Sequence, residues 1–269
     1  MAGSKMLKWM GLEAEKIDAA DVRQGRLASY DLILFPNGNM YAYTTGLKGT
    51  GYESIEEYVK TGGALILIGG SAVLLDDTFG IKPMATLSLL PGPTVPVDSE
   101  VQWPFSRKTM VGVAVTNNSH PINSGMPDSF LSLRTSGDPV YRRNRYADIT
   151  VLARYEDTDE IAMLALEYGR GRVFAIGVSA EHEENSYRDG FAPSHKLYDP
   201  DSEWELMKKA AAWAMGDAGS SGRRVLKSYI RTAAIASLIA YLVFWIIYLI
   251  RKRTRAASKK HQNEIRSAQ

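Results

Sequence analysis

Two short runs without a polar residue, Leu32–Phe35 (LILF) and Ala64–Ile68 (ALILI), constrain the fold more than any other feature of the chain. Between them, Tyr52–Thr61 (YESIEEYVKT) places Ile55, Tyr58 and Val59 at 3.6 spacing, and Gly62-Gly63 ends that helix. A strand that faces water on one side alternates polar and apolar residues; a strand covered on both faces does not. Strand, helix and strand in this order therefore predict an α/β protein, a mostly parallel sheet flanked by helices. Pro36-Asn37-Gly38 stops the first run, and Gly69-Gly70-Ser71-Ala72-Val73 turns the chain out of the second.

The flanks fit the same reading. Ser4–Gly11 (SKMLKWMG) sets Met6, Leu7 and Met10 at helical spacing before a terminal glycine. Pro91, Pro93, Pro96 and Pro104 mark a stretch read as loop with edge strands. Thr150–Arg154, Ile161–Glu167 and Arg172–Ile176 read as three strands, the last two joined by a tight hairpin at Tyr168-Gly169-Arg170-Gly171. Asp201–Met215 is a final helix, with Trp204, Met207 and Ala211 available to pack.

Beyond it the composition changes. Residues 217–269 carry eleven Lys/Arg and two Asp/Glu, while residues 1–216 carry 21 and 28, so a formal net charge of +2 hides an acidic body and a basic tail. An acidic body gives no electrostatic reason to bind nucleic acid. With no cysteine there is no disulfide and no thiolate nucleophile, and the redox compartment stays open. Thr232–Ile250 (TAAIASLIAYLVFWIIYLI) holds no charge. At 1.5 Å per residue it spans roughly 28 Å, close to the hydrocarbon core of a bilayer. The expected organisation is a body over 1–216, a basic linker over 217–231, a transmembrane helix over 232–250 and a basic tail over 251–269.

Four pieces in order resemble one family: YDLILFPNG (Tyr30–Gly38), YVKTGGALILIGGSA (Tyr58–Ala72), SGDPVY (Ser136–Tyr141) and YGRGRVFAIGVSAEH (Tyr168–His182). Ser119–Gly125 and Val151–Tyr155 also suit it. Together they are similar to the biotin-protein ligase N-terminal-like domain, a branch of the class I glutamine amidotransferase-like fold, over about residues 3–215. The resemblance implies a strand ahead of the first helix, in the middle of the sheet. No such strand precedes Ser4, so the fold is expected to lack its first strand or the reading frame to start upstream. Such an extension would hold an apolar strand of about five to six residues and room for a signal peptide.

The same resemblance implies where chemistry would sit. Its catalytic form carries G-x-C-x-G after the second run, and here Gly69 matches the first glycine, Ser71 falls at the cysteine and Val73 at the second glycine. Gly177-Val178-Ser179-Ala180-Glu181 falls where G-P-H-P-E would be, leaving Ser179 at the position of the base and Glu181 in place. A serine cannot take the proton that Ser71 would have to lose. His182 is the remaining candidate base, although adjacent residues on a strand point to opposite faces. His195 lies in a polar loop, His120 reads as a turn residue, and His261 lies past the apolar segment. Glu181, His182 and Glu183 are adjacent and do not make a chelating set, so no metal and no cofactor are expected.

Three roles for Ser71 stay open: a cap for the following helix, a ligand contact, or a nucleophile. The ligand reading includes Gly69, Gly70, Ser71 and Ala72, whose turn would offer main-chain N–H groups to an anion. The leading functional expectation is a membrane-anchored, non-catalytic amidotransferase-like domain that binds a small ligand or a partner protein. The rival is a serine-dependent hydrolase or amidotransferase using Ser71 with Glu181 and either His182 or His195. Biotin transfer is not implied, since nothing in the chain resembles a ligase catalytic domain. Six basic residues, Arg251, Lys252, Arg253, Arg255, Lys259 and Lys260, crowd the exit of the apolar segment and four precede it, which favours a cytoplasmic tail and an extracytoplasmic body.

Overall fold

The computed structural model of the chain describes residues 2–75, 87–91, 101–103, 106–135, 138–143, 148–183, 188–190 and 203–216. Helix α1 (Ala2–Trp9) and a short α2 (Ala19–Arg23) come first, then β1 (Leu32–Phe35), α3 (Met40–Lys60) and β2 (Ala64–Ile68). Strands β3 (Leu87–Pro91), β4 (Val101–Trp103), β5 (Ser106–Val115), β6 (Ser129–Thr135) and β7 (Pro139–Arg143) follow, then β8 (Thr150–Tyr155), β9 (Ile161–Tyr168), β10 (Gly171–Ile176) and α4 (Glu203–Met215).

The ten strands form one sheet whose main path runs β1-β2-β10-β9-β8-β5-β4; β6 pairs with β5, and β7 pairs with β3 and β9. Among the described residues only β1–β2 and β2–β10 are parallel, so the expected mostly parallel sheet is a mixed one, predominantly antiparallel. The hairpin at Gly169-Arg170 reverses the chain between β9 and β10, with Gly169 at φ +61°. An apolar run reports burial on both faces and is silent on direction: β9, antiparallel to both neighbours on the path, is buried from Ile161 to Leu166.

Both faces are covered, as the apolar runs require. Leu65 and Leu67 of β2 pack with Ile55 and Val59 of α3 and with Val173 and Ala175 of β10. Their alternates Ile66 and Ile68 pack with Met6 of α1 and with Trp204, Met207 and Ala211 of α4. Helix α3 begins twelve residues before the expected Tyr52, at an N-cap where the Asn39 side chain accepts from the N–H groups of Tyr41 and Ala42. Its two halves meet at a kink, Lys48, with φ +44°. β1 occupies one end of the main path and pairs with β2 alone. The apolar segment 232–250 and the tail lie outside the described residues. Among the described residues no helix is long and apolar enough to cross a membrane.

Candidate functional site

The three strands that run in one direction, β1, β2 and β10, end side by side, and the residues just past their carboxyl ends form a polar cluster. Crevices at such ends are where open α/β sheets place ligands. Each strand contributes one turn: Pro36-Asn37-Gly38 after β1, Gly69–Leu75 after β2, and Gly177–Glu181 after β10. A fourth piece, Asp138, enters from the connection between β6 and β7.

Asn37 joins all four. Its main-chain N–H donates to Glu181 Oε1 at 2.9 Å, and its side-chain Nδ2 donates to Asp138 Oδ1 and to Ser179 Oγ, each at 2.7 Å. Its Oδ1 accepts from the Gly70 N–H at 2.9 Å. Glycine is required in that turn twice over. Gly69 sits at φ +53° with the Asn37 side chain where a Cβ would be, and a Cβ on Gly70 would strike the Gly38 carbonyl.

Ser71 is fully buried. Its hydroxyl accepts from the Ile68 N–H at 2.8 Å and lies 2.9 Å from the carbonyls of both Ile68 and Phe35, to either of which it can donate. The hydroxyl thus closes the turn onto the ends of β1 and β2, and its hydrogen bonds are all to main chain. The segment Gly69–Leu75 is a buried 3₁₀ turn rather than the start of an α-helix. Within it Gly69, Gly70, Ser71 and Ala72 are buried, and the Gly70 N–H is already taken by Asn37.

Ser179, at the position implied for a base, accepts from Asn37 and donates to Asp138 Oδ2 at 3.2 Å. Asp138 also accepts from the Thr135 main-chain N–H at 2.7 Å and from its hydroxyl at 2.8 Å. Burial pushes the Asp138 carboxyl above the usual carboxylate range, against the pull of those donors.

Glu181 is 3 % exposed; its Oε1 accepts from Asn37, and its Oε2 has no hydrogen-bond partner among the described residues. Burial raises its carboxyl above the ordinary range, and Asp138 adds to the effect while His182 opposes it. Tyr43 is also affected, its phenol pushed up to about 12 by burial and by Glu181, and it donates to the Pro36 carbonyl at 2.6 Å. Glu181, His182, Asn37 and Tyr43 stand at one end of a cleft of about 490 Å³ whose remaining walls include Leu7, Ile17, Val22, Phe35 and Leu47. His182 is half-buried, with Nδ1 3.2 Å from Asp189 Oδ2. Glu183 pairs with Arg188.

The structure therefore gathers Ser179 and Glu181 around Asn37 and encloses the Ser71 hydroxyl in main chain. His120 caps the short turn at Pro121, its Nδ1 accepting from the Ile122 N–H, and packs on Trp213. His195 and His261 lie outside the described residues. No group of three metal-ligating side chains occurs among the described residues. Asn37 and Asp138, the two residues that organise the cluster, lie within LFPNG and SGDPVY, where the sequence alone gives them no role; only the tertiary fold brings them together.

A mixed sheet with helices on both faces and a polar cluster at the carboxyl ends of its parallel strands makes this an α/β fold similar to those of amidotransferase-like proteins. No protein-family profile matches the chain. Over 170 residues it is 25% identical to the biotin–protein ligase of Schizosaccharomyces pombe, a match covering 57% of this chain and 26% of that protein. The match thus spans about a quarter of the length of that relative. Among solved structures it is similar to one described as a GMP synthase component from Thermoplasma acidophilum, with a TM-score of 0.51 and 15% identity over 84% of this chain and 90% of that one. It is also similar to PurLQS of Thermotoga maritima, with a TM-score of 0.51 and 17% identity over 79% and 91%. A ThuA-like protein of Bacteroides uniformis gives a TM-score of 0.50 and 15% identity over 79% and 81%. These likenesses bear on the fold.

Proposed function

We propose that the chain is a non-catalytic amidotransferase-like domain on a membrane anchor, binding a small ligand or a partner protein in the cleft whose wall includes Asn37, Tyr43, Glu181 and His182. The observation that carries the reading is the contrast among three side chains. The hydroxyls of Ser71 and Ser179 are engaged within the fold, whereas Glu181 keeps a buried oxygen without a partner on the wall of a cleft. A buried polar atom left unpaired costs about 1–3 kcal/mol. A bound group with an N–H or O–H donor would remove that cost, so a ligand of this kind is favoured over a purely apolar one.

Anchoring rests on the uncharged segment 232–250 and the basic residues on either side of it. We place the body over 1–216 outside and the tail over 251–269 inside, following the excess of Arg and Lys after the segment. Protease added to right-side-out vesicles should remove the body and spare a tag fused after Gln269; a body protected until the membrane is opened would reverse the orientation.

The binding proposal is tested on the full-length protein in detergent with three probes that share a chain length: hexylamine, hexanamide and hexanoate. The amine or the amide should raise the melting temperature of the wild type at least twice as much as that of Glu181→Gln, and hexanoate should not. Equal shifts in both proteins with all three probes would refute a donor site at Glu181.

A further inference from the structure

The bend in α3 is held together by side chains. Lys48 joins the two halves at φ +44° and ψ 177°, a conformation that a residue bearing a Cβ disfavours. Gly46, Gly49 and Gly51 surround it. Two carbonyls in the last turn of the first half accept from side chains: the Tyr52 hydroxyl donates to Thr44 at 2.9 Å, and the Arg23 guanidinium donates to Gly46. In a regular helix, residues four apart hold their Cβ atoms about 5–6 Å apart. Here a Cβ on Gly51 would lie 3.1 Å from Leu47 Cβ and 3.3 Å from Arg23 Cγ, so the bend folds Leu47 onto Gly51 and glycine gives it room. Residues 40–47 are also the part of α3 that meets the crevice. Tyr43 and Leu47 stand in the cleft wall with Glu181, and the Tyr43 ring lies edge-on to Phe35 at 5.8 Å. The next half is held by the sheet instead, with Ile55 and Val59 fully buried and packed with Leu65, Leu67 and Val173.

We propose that residues 40–47 are a flap hinged at Lys48, exchanging between the bent form and a straight continuation of α3, and that this exchange controls entry to the cleft. The two forms are stabilised by different contacts. Bending sets Tyr43 against Phe35 and the Pro36 carbonyl, seats Leu47 in the cleft wall and engages Tyr52 and Arg23. Straightening gives up those contacts, but it relieves the backbone at Lys48 and returns Leu47 and Gly51 to ordinary helical spacing. It also withdraws Tyr43 and Leu47 from the cleft, which opens that wall. A ligand that touches either residue favours the bent form. What enters rests on the binding reading above; the flap itself moves with no ligand present, so the two can fail separately.

The chain has no cysteine, so paired spin labels can be placed without background. Labels on Tyr41→Cys and Glu57→Cys, both exposed, report the bend by double electron–electron resonance on the full-length protein in detergent, without ligand. A straight helix sets these positions roughly 24 Å apart, and bending brings them closer. Lys48→Gly removes the backbone strain and should raise the ratio of short to long distances about fivefold. Gly51→Ala puts a methyl against Leu47 in the bent form alone and should lower that ratio by about as much. Gly49→Ala, whose Cβ meets nothing within 4 Å, should change it least. A second readout is the reaction of a thiol reagent with Val22→Cys, a buried position in the cleft wall, whose rate should follow the long fraction across the same variants. A single distance, unmoved by Lys48→Gly and by Gly51→Ala, would overturn the hinge. Distances that shift while Val22→Cys reacts at one rate throughout would overturn the control of the cleft.

Discussion

The ends of β2 and β10 lie side by side and carry a serine each, yet they are built to different purposes. After β2, the Ser71 hydroxyl is spent on Ile68 and Phe35, the Gly70 N–H on Asn37, and the turn is closed. After β10, Ser179 is tied to Asn37 and Asp138, but two residues on Glu181 keeps an oxygen free against a cleft. Closure stabilises, and an unpaired buried atom costs stability for as long as nothing binds it. The difference teaches that the Ser71 hydroxyl is enclosed by main chain, while Glu181, on the wall of a cleft, is the group we propose as the one open to a ligand.

The largest expected effect comes from the residue that connects the two ends. Asn37→Ala removes the donors to Asp138 and Ser179 and the acceptor of the Gly70 N–H, and it leaves a buried carboxyl short of a partner. A loss of about 3–4 kcal/mol is expected from those three bonds, read by urea unfolding with the fluorescence of Trp204, whose indole donates to the Glu181 carbonyl at 3.1 Å. A loss below about 1 kcal/mol would mean that the two ends are not coupled through Asn37.

Ser71→Ala should cost less, about 1–2 kcal/mol, because one hydroxyl and not a hub is lost. Stability unchanged or improved by this substitution would remove the structural role given to the Ser71 turn and so erase the comparison.

The smallest effect is one of pH. A buried carboxyl whose folded pKa lies above its unfolded value favours the fold while protonated. Its contribution is fully present below the unfolded value near 4 and is lost as pH rises through the folded value. Glu181 and Asp138 both belong to this class. Stability should therefore decline with rising pH across that window, by at most about 1.4 kcal/mol per pH unit for each group. Glu181→Gln should remove the share of Glu181 and flatten the decline; a profile identical to the wild type would place Glu181 in an environment where its charge is not penalised.

Much of the fold was legible in the sequence. LILF, ALILI and the three late strands appear where their apolar runs are; ALILI is buried throughout, and in the late strands the polar residues Thr150, Arg154, Glu167 and Arg172 stand at or near the ends of the runs. Strand direction was not legible, and β6 was not read as a strand. In β6 the inward positions Ser132 and Arg134 are polar and buried, Arg134 lying over the Tyr155 ring at 4.4 Å, so the alternation that would mark a core strand is broken. The first half of α3 was missed because TTGLKGTG is a poor helix former; its start is set by the Asn39 cap. At the site, Ser71, Ser179 and Glu181 could be singled out by resemblance. Asn37 and Asp138 could not, because the bonds from Asn37 to Asp138, Ser179 and Glu181 join residues 101 to 144 positions apart.

The central claim is that Ser71 supports the fold and performs no covalent chemistry. Its most direct test is intact-mass analysis of the full-length protein after exposure to a fluorophosphonate serine probe. The account predicts no adduct on Ser71, because the hydroxyl is enclosed and bonded to main chain. A stoichiometric adduct that disappears in Ser71→Ala would contradict it and make the chain a serine-dependent enzyme.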